Sequence, residues 1–350
     1  MKVLIVDDSV VYRTAITQAL SNVPDVEVFK AVSNGKIALD IIKQNHGIDL
    51  MILDMEMPIM NGLETIRELR KFNKSINVII FSAVSNEAAE QSIAALNEGA
   101  DDFVTKIVGN GSIEQSIEMI RDELLPKIKV LRPRPALKSI SVATEATLKT
   151  VLASFVTRPK LICIGCSTGG PDALAQVFSQ ITNKLNIPIL LVQHMPAFFT
   201  EKLAASLSKL SPVQVKEAKH GDQLISGQCL IAPGDYHMLL KKNLSNEYRI
   251  DLNQGEKVCF VRPSVDVLLK TVAENFDGKI LSIILTGMGE DGAASSKLLK
   301  KRNEYLVIQD KESSIVWGMP GAVVRSDLSP HILTLPDIGK LINDLGQRVA

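Results

Sequence analysis

Three residues in the second half of the sequence have the types that acyl transfer needs. Ser167 lies in LICIGCSTGGPDAL (161–174), inside a Gly-x-Ser-x-Gly pattern that can present a hydroxyl on a sharp strand-to-helix turn. A serine hydroxyl needs a general base, and the base needs an orienting carboxylate. Of the five histidines, His194 ends the apolar run PILLVQH and so stands, like Ser167, at the carboxyl end of a strand. His237, in APGDYHMLL, is the second candidate base; His46 and His220 lie in turns and His331 at a strand start. LSIILTGMGEDGAA places Glu290 and Asp291 in a glycine-rich turn after a third such strand. Ser167, His194 and Asp291 therefore make a candidate triad. Its order, Ser…His…Asp, differs from the Ser…Asp…His of the α/β-hydrolases, so the pattern does not carry that fold with it.

The same stretch admits two rival readings. Cys163-x-x-Cys166 has dithiol spacing, but a redox pair needs an exposed first cysteine, and Cys163 lies inside an apolar strand pattern. The glycines suggest a phosphate loop, yet GCSTGGP has neither the Gly-x-Gly-x-x-Gly spacing nor the lysine of a P-loop.

A second set of residues stands in the first half. Asp7 and Asp8, Asp54, Ser82 and Lys106 each follow or end a separate apolar run. Three converging carboxylates repel one another and invite a divalent cation, and oxygen ligands of this kind suit Mg²⁺. Lys106 and Ser82 add a point charge and a hydroxyl for a phosphoryl group.

The elements that must position these residues follow from periodicity. Over 1–125, VLIV, VEVFKAV, LMIL, NVIIF and DFVT alternate with segments that are apolar at three- and four-residue spacing. That rhythm predicts βαβ units and a parallel five-stranded sheet covered on both faces. Residues 126–158 are basic, proline-containing and then small and polar, which reads as a linker with one short helix near 144–154. The βα rhythm resumes over 159–350 with KLICIG, PILLVQH and KILSIILTG; YLVIQD and HILTL are further strands, and DIGKLINDLGQ closes with a helix. QCLIAPG, HMLLKK and EYRIDL read as antiparallel hairpin material. The second half is thus expected to be doubly wound α/β, mainly parallel, with an antiparallel hairpin. Functional groups in such sheets gather beyond the carboxyl ends of the strands.

Composition narrows the classes. The 350 residues carry 39 basic and 39 acidic side chains, so no broad pull toward nucleic acid or anionic membrane is expected. Four cysteines in so long a chain are no disulfide framework, and their apolar settings suit a reducing compartment. The opening apolar run is too short for a signal peptide, and no later run approaches the ~20 residues of a membrane span. A soluble cytoplasmic protein is expected.

Two resemblances come from longer motifs. LIVDDS, MILDMEMP, IIFSA and DFVTK resemble the receiver domain of two-component response regulators, which implies a flavodoxin-like fold. The resemblance implies that Asp54 takes a phosphoryl group from a histidine kinase. It further implies that Asp8 and Asp54 hold Mg²⁺ with Asp7 assisting and the Glu56 main-chain carbonyl as a ligand, and that Phe103 is the aromatic switch. Ile107 departs from the proline that receivers usually carry after this lysine. IGCSTGGP, VQHMPAFFTEKLA, IAPGDYHM, RPSVDVLL, LTGMGEDGA and GMPGAV resemble the catalytic domain of the chemotaxis protein-glutamate methylesterases, which also carry an N-terminal receiver. Ala294-Ser295 is a minor departure. This resemblance implies Ser167 as nucleophile, His194 as base, Asp291 as orienting acid, and Thr168, Gly169 and Met288 lining the oxyanion site or pocket. It implies γ-glutamyl methyl esters of methyl-accepting chemoreceptors as substrate, a deamidase activity on glutamine, and no cofactor for the ester chemistry. A monomer is expected, restrained by its receiver until Asp54 is phosphorylated. The rival classes are a transcriptional regulator, which would need a basic recognition helix absent from 160–350, and a non-catalytic receptor-binding adaptor.

Overall fold

A computed structural model describes residues 1–45, 47–106, 113–131 and 145–347. His46 and Ile107, with the departure it represents, lie outside these residues, as does much of the expected linker. The chain divides into two compact units, Met1–Ile140 and Ser141–Ala350.

The first unit alternates strand and helix: β1 (Lys2–Val6), α1 (Val10–Leu20), β2 (Glu27–Val32), α2 (Gly35–Gln44), β3 (Leu50–Asp54), α3 (Gly62–Phe72), β4 (Asn77–Ser82), α4 (Asn86–Asn97), β5 (Asp102–Thr105) and α5 (Ile113–Val130). The strands pair in parallel in the order β2-β1-β3-β4-β5. Right-handed crossovers then put α1 and α5 on one face and α2 to α4 on the other, and the helices contact one another in those two groups. Burial on both faces explains why β3 and β4 are apolar without alternation and buried at every residue. Asn34, Asn61 and Ser85 cap α2, α3 and α4 by accepting from backbone N–H groups three residues on, and Asn61 forms a capping box with Glu64. Helix α5 runs through Pro126 to Val130, past the expected end of this half at 125.

The second unit holds α6 (Glu145–Ser154), β6 (Leu161–Cys166), α7 (Gly170–Ser179), β7 (Ile189–Gln193), α8 (Phe199–Leu207), β8 (Gln214–Glu217), β9 (Gln228–Ile231), β10 (His237–Lys242), β11 (Tyr248–Asn253), α9 (Val265–Asn275), β12 (Ile280–Ile284), α10 (Ala293–Lys301), β13 (Tyr305–Gln309), α11 (Met319–Arg325), β14 (His331–Leu333) and α12 (Leu335–Gln347). Seven strands pair in parallel in the order β14-β13-β12-β6-β7-β9-β8, and β10 and β11 form a separate antiparallel hairpin against α9. Helices α9, α10 and α11 pack together in one group and α7, α8, α12 and α6 in another. The core under α9 is built from Leu161, Cys163, Leu190, Leu230, Met238, Leu268, Leu269 and Ile284, all at most 1% exposed.

One reading of the sequence is corrected here, and one strand it did not name is added. QCLI is not hairpin material but β9, an internal parallel strand; all four residues are buried, and its lack of alternation is the mark of a strand covered on both faces. The edge strand β8, QVKE, escaped notice because only Val215 of its four residues is buried, too short a pattern to read. Among the described residues no helix is long and apolar enough to cross a membrane.

Candidate active site and receiver site

In the second unit the chain leaves β6 for β7 on one side and later returns to β12 on the other. The strand order therefore reverses beside β6, and ligands of open α/β sheets bind in the crevice such a reversal leaves beyond the strand ends. Ser167 follows β6, His194 follows β7, and Asp291 lies in the loop after β12, so the three come from adjacent strands. Cys166 and Gln193 are register partners, which makes Ser167 and His194 the next residue on each of two paired strands, and His194 N–H donates to Cys166 O at 3.1 Å.

Asp291 is 1% exposed, and four donors surround its carboxylate. Oδ2 accepts from His194 Nε2 at 2.8 Å and Val265 N–H at 2.6 Å; Oδ1 accepts from Ser264 Oγ at 2.8 Å and Asp266 N–H at 2.9 Å. Ser264 is the N-cap of α9, so the carboxylate sits where that helix offers its free N–H groups and positive dipole end. Burial alone would push its pKa up, but the His194 bond and charge and these N–H groups outweigh it and hold Asp291 below its ordinary value. The acid is thus ionised and fixed, and it holds His194 Nε2 as a donor, leaving Nδ1 as the ring nitrogen that can accept a proton. No hydrogen bond joins Ser167 Oγ to His194.

The turn carrying Ser167 is tight. Gly170 N–H donates to Ser167 O at 2.8 Å, and Gly169 has φ 75° and ψ 0°, the angles of the third residue of a type II turn, which favours glycine. Thr168 is buried, and Met288 is half-buried in the β12 loop. A Cβ on Gly287, the residue before Met288, would lie 2.8 Å from Ser167 Cβ, so only glycine lets the two loops meet.

The competing groups fall elsewhere. His237 is buried with Nε2 2.9 Å from the Glu256 carbonyl, so its partner is backbone and not a carboxylate. Cys163 and Cys166 are both buried and free, and burial pushes their thiols well up, away from thiolate chemistry. Cys259, Asp266 and Asp291 present ligand atoms within 4.8 Å of one another. Both Asp291 oxygens are already satisfied by protein donors, however, and Asp266 Oδ1 accepts from Ser295 N–H, so this group has no need of a cation.

Sequence reasoning missed three supporting residues. Ser264 had a readable signal, a serine just before the apolar helix VDVLL. Gln193, whose Nε2 lies 2.9 Å from Ser167 O, and Thr286, whose Oγ1 lies 3.0 Å from Thr168 O, had none, since their roles depend on which strands become neighbours.

In the first unit the strand order reverses between β1 and β3, and Asp7, Asp8 and Asp54 stand there with carboxylate oxygens within 4.8 Å of one another. Lys106 Nζ bridges Asp54 Oδ2 at 2.7 Å and Asp7 Oδ2 at 3.1 Å. The Tyr12 and Phe81 rings, 4.8 and 5.6 Å from that ammonium, flank it. Asp7 and Asp54 are buried and Asp8 is exposed. Burial pushes Asp54 up to about 6, with the Asp7 charge acting the same way against the Lys106 bond, and burial also raises Asp7. Burial pulls Lys106 down, but the two carboxylates outweigh it and raise its pKa. One ammonium is too little charge for three acids, and the donor set is all oxygen, so the residues fit a hard divalent cation. Glu56 N–H donates to Asp54 Oδ1 at 3.2 Å, which brings the 54–56 backbone to the same place. Ser82 is tied to α4, accepting from Ser92 Oγ at 2.9 Å, and no bond joins it to Asp54. The Phe103 side chain is buried under Lys127, whose Nζ is 5.3 Å from the ring.

Comparison with known proteins matches both units. Residues 162–342 match the family described as CheB methylesterase, and residues 3–118 the response regulator receiver domain. A protein-glutamate methylesterase/protein-glutamine glutaminase of Trichodesmium erythraeum is 38% identical, over 99% of this chain and 99% of its own length. One of the same name from Nocardioides sp. is 38% identical, over 97% of this chain and 93% of its own. The crystal structure of the Thermotoga maritima CheB methylesterase catalytic domain, 35% identical, is covered in full by 54% of this chain with a TM-score of 0.51. With its receiver half and its esterase half both matched along nearly the whole length, the chain belongs to the CheB methylesterase family.

Proposed function

We propose that the second unit removes methyl groups from γ-glutamyl methyl esters on the cytoplasmic helices of chemoreceptors, and deamidates selected glutamines there, under control of the receiver in chemotaxis adaptation. The observation that carries this reading is the His194–Asp291 pair at 2.8 Å, one strand away from the turn that carries Ser167.

Ser167 Oγ attacks the ester carbonyl carbon while His194 Nδ1 takes its proton. The resulting imidazolium is stabilised by the ionised, four-fold bonded Asp291. Negative charge collecting on the carbonyl oxygen is met by the Thr168 backbone N–H at the turn, with Met288 walling the pocket. Such fixed donors are usually the largest electrostatic contribution to acyl transfer. The proton on Nδ1 passes to the methoxy oxygen, methanol leaves, and an acyl-Ser167 remains. Water then attacks the acyl carbon, again giving its proton to Nδ1, and Ser167 regains a proton as glutamate is released. On a glutamine side chain the same steps expel ammonia. Side chains and backbone carry the whole ester chemistry.

In the receiver, Asp54 accepts the phosphoryl group from a chemotaxis histidine kinase. Asp7, Asp8, Asp54 and the Glu56 carbonyl would hold Mg²⁺, which when bound supplies positive charge to the phosphoryl oxygens. Lys106 holds a further oxygen, and Ser82 and Phe103 respond to it. A kinase and receptor helices of this kind imply a cytoplasmic protein.

Methanol release from methylated receptors tests the reading. Wild type is expected to release methanol, and Ser167→Ala none above background while still binding receptor. A Ser167→Ala protein that works at the wild-type rate would make this chain's serine dispensable and the reading wrong.

A further inference from the structure

Two buried side chains outside the triad hold the peptides on either side of Thr168. Gln193 ends β7 and is 2% exposed; its amide donates one proton to Ser167 O at 2.9 Å and the other to His194 O at 3.2 Å. One NH₂ group thus spans the loops that carry the proposed nucleophile and base. Its Oε1 is buried without a hydrogen-bond partner, beside Gly170, where even a Cβ would come within 1.9 Å of it. A buried acceptor left without a partner asks for a reason. Turning the amide over would set Oε1 against two carbonyl oxygens, so the orientation is dictated by the two loops.

Thr286 follows β12 on the other side of β6 and is 1% exposed. Its Oγ1 lies 3.0 Å from Thr168 O and 3.2 Å from Val316 O, and accepts from Val316 N–H at 3.0 Å. Thr168 O is thus the nearer acceptor for its single proton. Type I and type II turns differ by a flip of their central peptide, here the one joining Thr168 to Gly169. The Thr286 hydroxyl holds that peptide in the type II sense.

Across a trans peptide the C=O and N–H point in opposite directions. Pinning Ser167 O on the Gln193 side sends Thr168 N–H the other way, toward the β12 side, whereas pinning Thr168 O on Thr286 sends Gly169 N–H toward the β7 side. Among the described residues neither N–H has a hydrogen-bond partner. We infer that Gln193 and Thr286 are positioning residues: Gln193 fixes the Ser167–Thr168 peptide so that the Thr168 N–H faces the developing oxyanion, and Thr286 holds the next peptide so that the turn carrying this donor cannot rotate away. This rests on the reading of Ser167 as nucleophile.

The test uses the full chain and methanol release from methylated receptors, with kcat and KM determined separately. Thr286→Val keeps the shape and removes the hydroxyl; Thr286→Ser keeps the hydroxyl. Because removing one oxyanion donor outright costs about 10²–10³-fold, misaiming the Thr168 donor should cost roughly 10-fold or more in kcat for Thr286→Val and for Gln193→Met, with KM within about twofold. Thr286→Ser should recover most of the loss, which a packing role alone would not require. The inference is overturned if Thr286→Val keeps wild-type kcat, if serine falls as far as valine, or if the loss appears in KM. Near-UV circular dichroism checks the fold, and should Thr286→Val unfold, Gln193→Met decides by the same criteria. Ser167→Ala separates the two levels: an active Ser167→Ala sinks the nucleophile reading, whereas an inactive one beside an unimpaired Thr286→Val sinks the positioning role alone.

Discussion

Asp291 and Asp54 are both buried acids, and their partners send them in opposite directions. Asp291 has a histidine and three further donors, and its pKa is held down despite burial. Replacing it with asparagine keeps the shape but removes the charge that fixes His194 Nε2 as donor and steadies the imidazolium. The expected loss in Asp291→Asn is about 10³–10⁴-fold in kcat with little change in KM, as for the analogous change in other serine triads. A loss below about tenfold in steady-state methanol release would remove Asp291 from the triad. Asp54 has one shared ammonium and two acidic neighbours, and its pKa rises from 3.8 to about 6. The folded receiver therefore holds an extra proton relative to the unfolded chain between those values, and stability falls as pH rises through that window. The full cost is on the order of 3 kcal/mol at neutral pH. Asp54→Asn should stabilise the receiver transition at pH 7.5 in chelator by about 1–3 kcal/mol, with the gap closing toward pH 5. Adding Mg²⁺ should stabilise wild type and leave the Asn variant nearly unmoved. Urea titrations at the two pH values, with and without Mg²⁺, check sign and size together. Equal stability of the two proteins at pH 7.5 would contradict the buried-charge account.

At the scale of elements, the site depends on how closely β6 approaches α9. A Cβ on Gly165 would lie 2.7 Å from both Cγ atoms of Val265, the first residue of α9 and one of the donors to Asp291. Gly165→Ala must therefore push the helix start outward and loosen Asp291. The expected cost is about 1–3 kcal/mol of stability, typical of overpacking, together with a fall in kcat. Val265→Ala, which vacates the space, should restore part of both in the double variant, as a double-mutant cycle of denaturation midpoints would reveal. Additive losses would mean that the two residues do not press on each other. This contact was not legible in the sequence, where Gly165 reads as part of the Gly-x-Ser-x-Gly pattern and Val265 as helix apolar face. What was legible is what the chain states locally. Strand ends mark the positions of Ser167, His194, Asp7 and Asp54, because an apolar run that stops at a polar residue says so within a few residues. What stayed hidden needed the strand order: QCLI looks the same whether it lies in a hairpin or inside a parallel sheet, and Gln193 and Thr286 gain meaning only once β7 and β12 flank β6.

At the scale of the whole chain, one topological rule serves twice. Each unit is an open parallel sheet, and in each the reactive groups stand where the strand order reverses: Asp7, Asp8 and Asp54 beside β1 and β3, Ser167 and its partners beside β6. Every hydrogen bond given above for the esterase site lies between residues 166 and 316, inside the second unit. Esterase chemistry should therefore need nothing from the receiver. A fragment beginning at Glu145 is expected to fold and to release methanol from methylated receptors at a rate indifferent to a small-molecule phosphodonor. The intact chain should run slower than the fragment without phosphodonor and speed up when phosphodonor and Mg²⁺ are supplied together, a response that Asp54→Asn removes. Parallel methanol assays on the fragment, the intact chain and the Asp54→Asn chain, each with and without phosphodonor, read all of this at once. A folded but inactive fragment would mean that the receiver contributes to catalysis itself, and an intact Asp54→Asn chain that still responds would move the phosphorylation site away from Asp54.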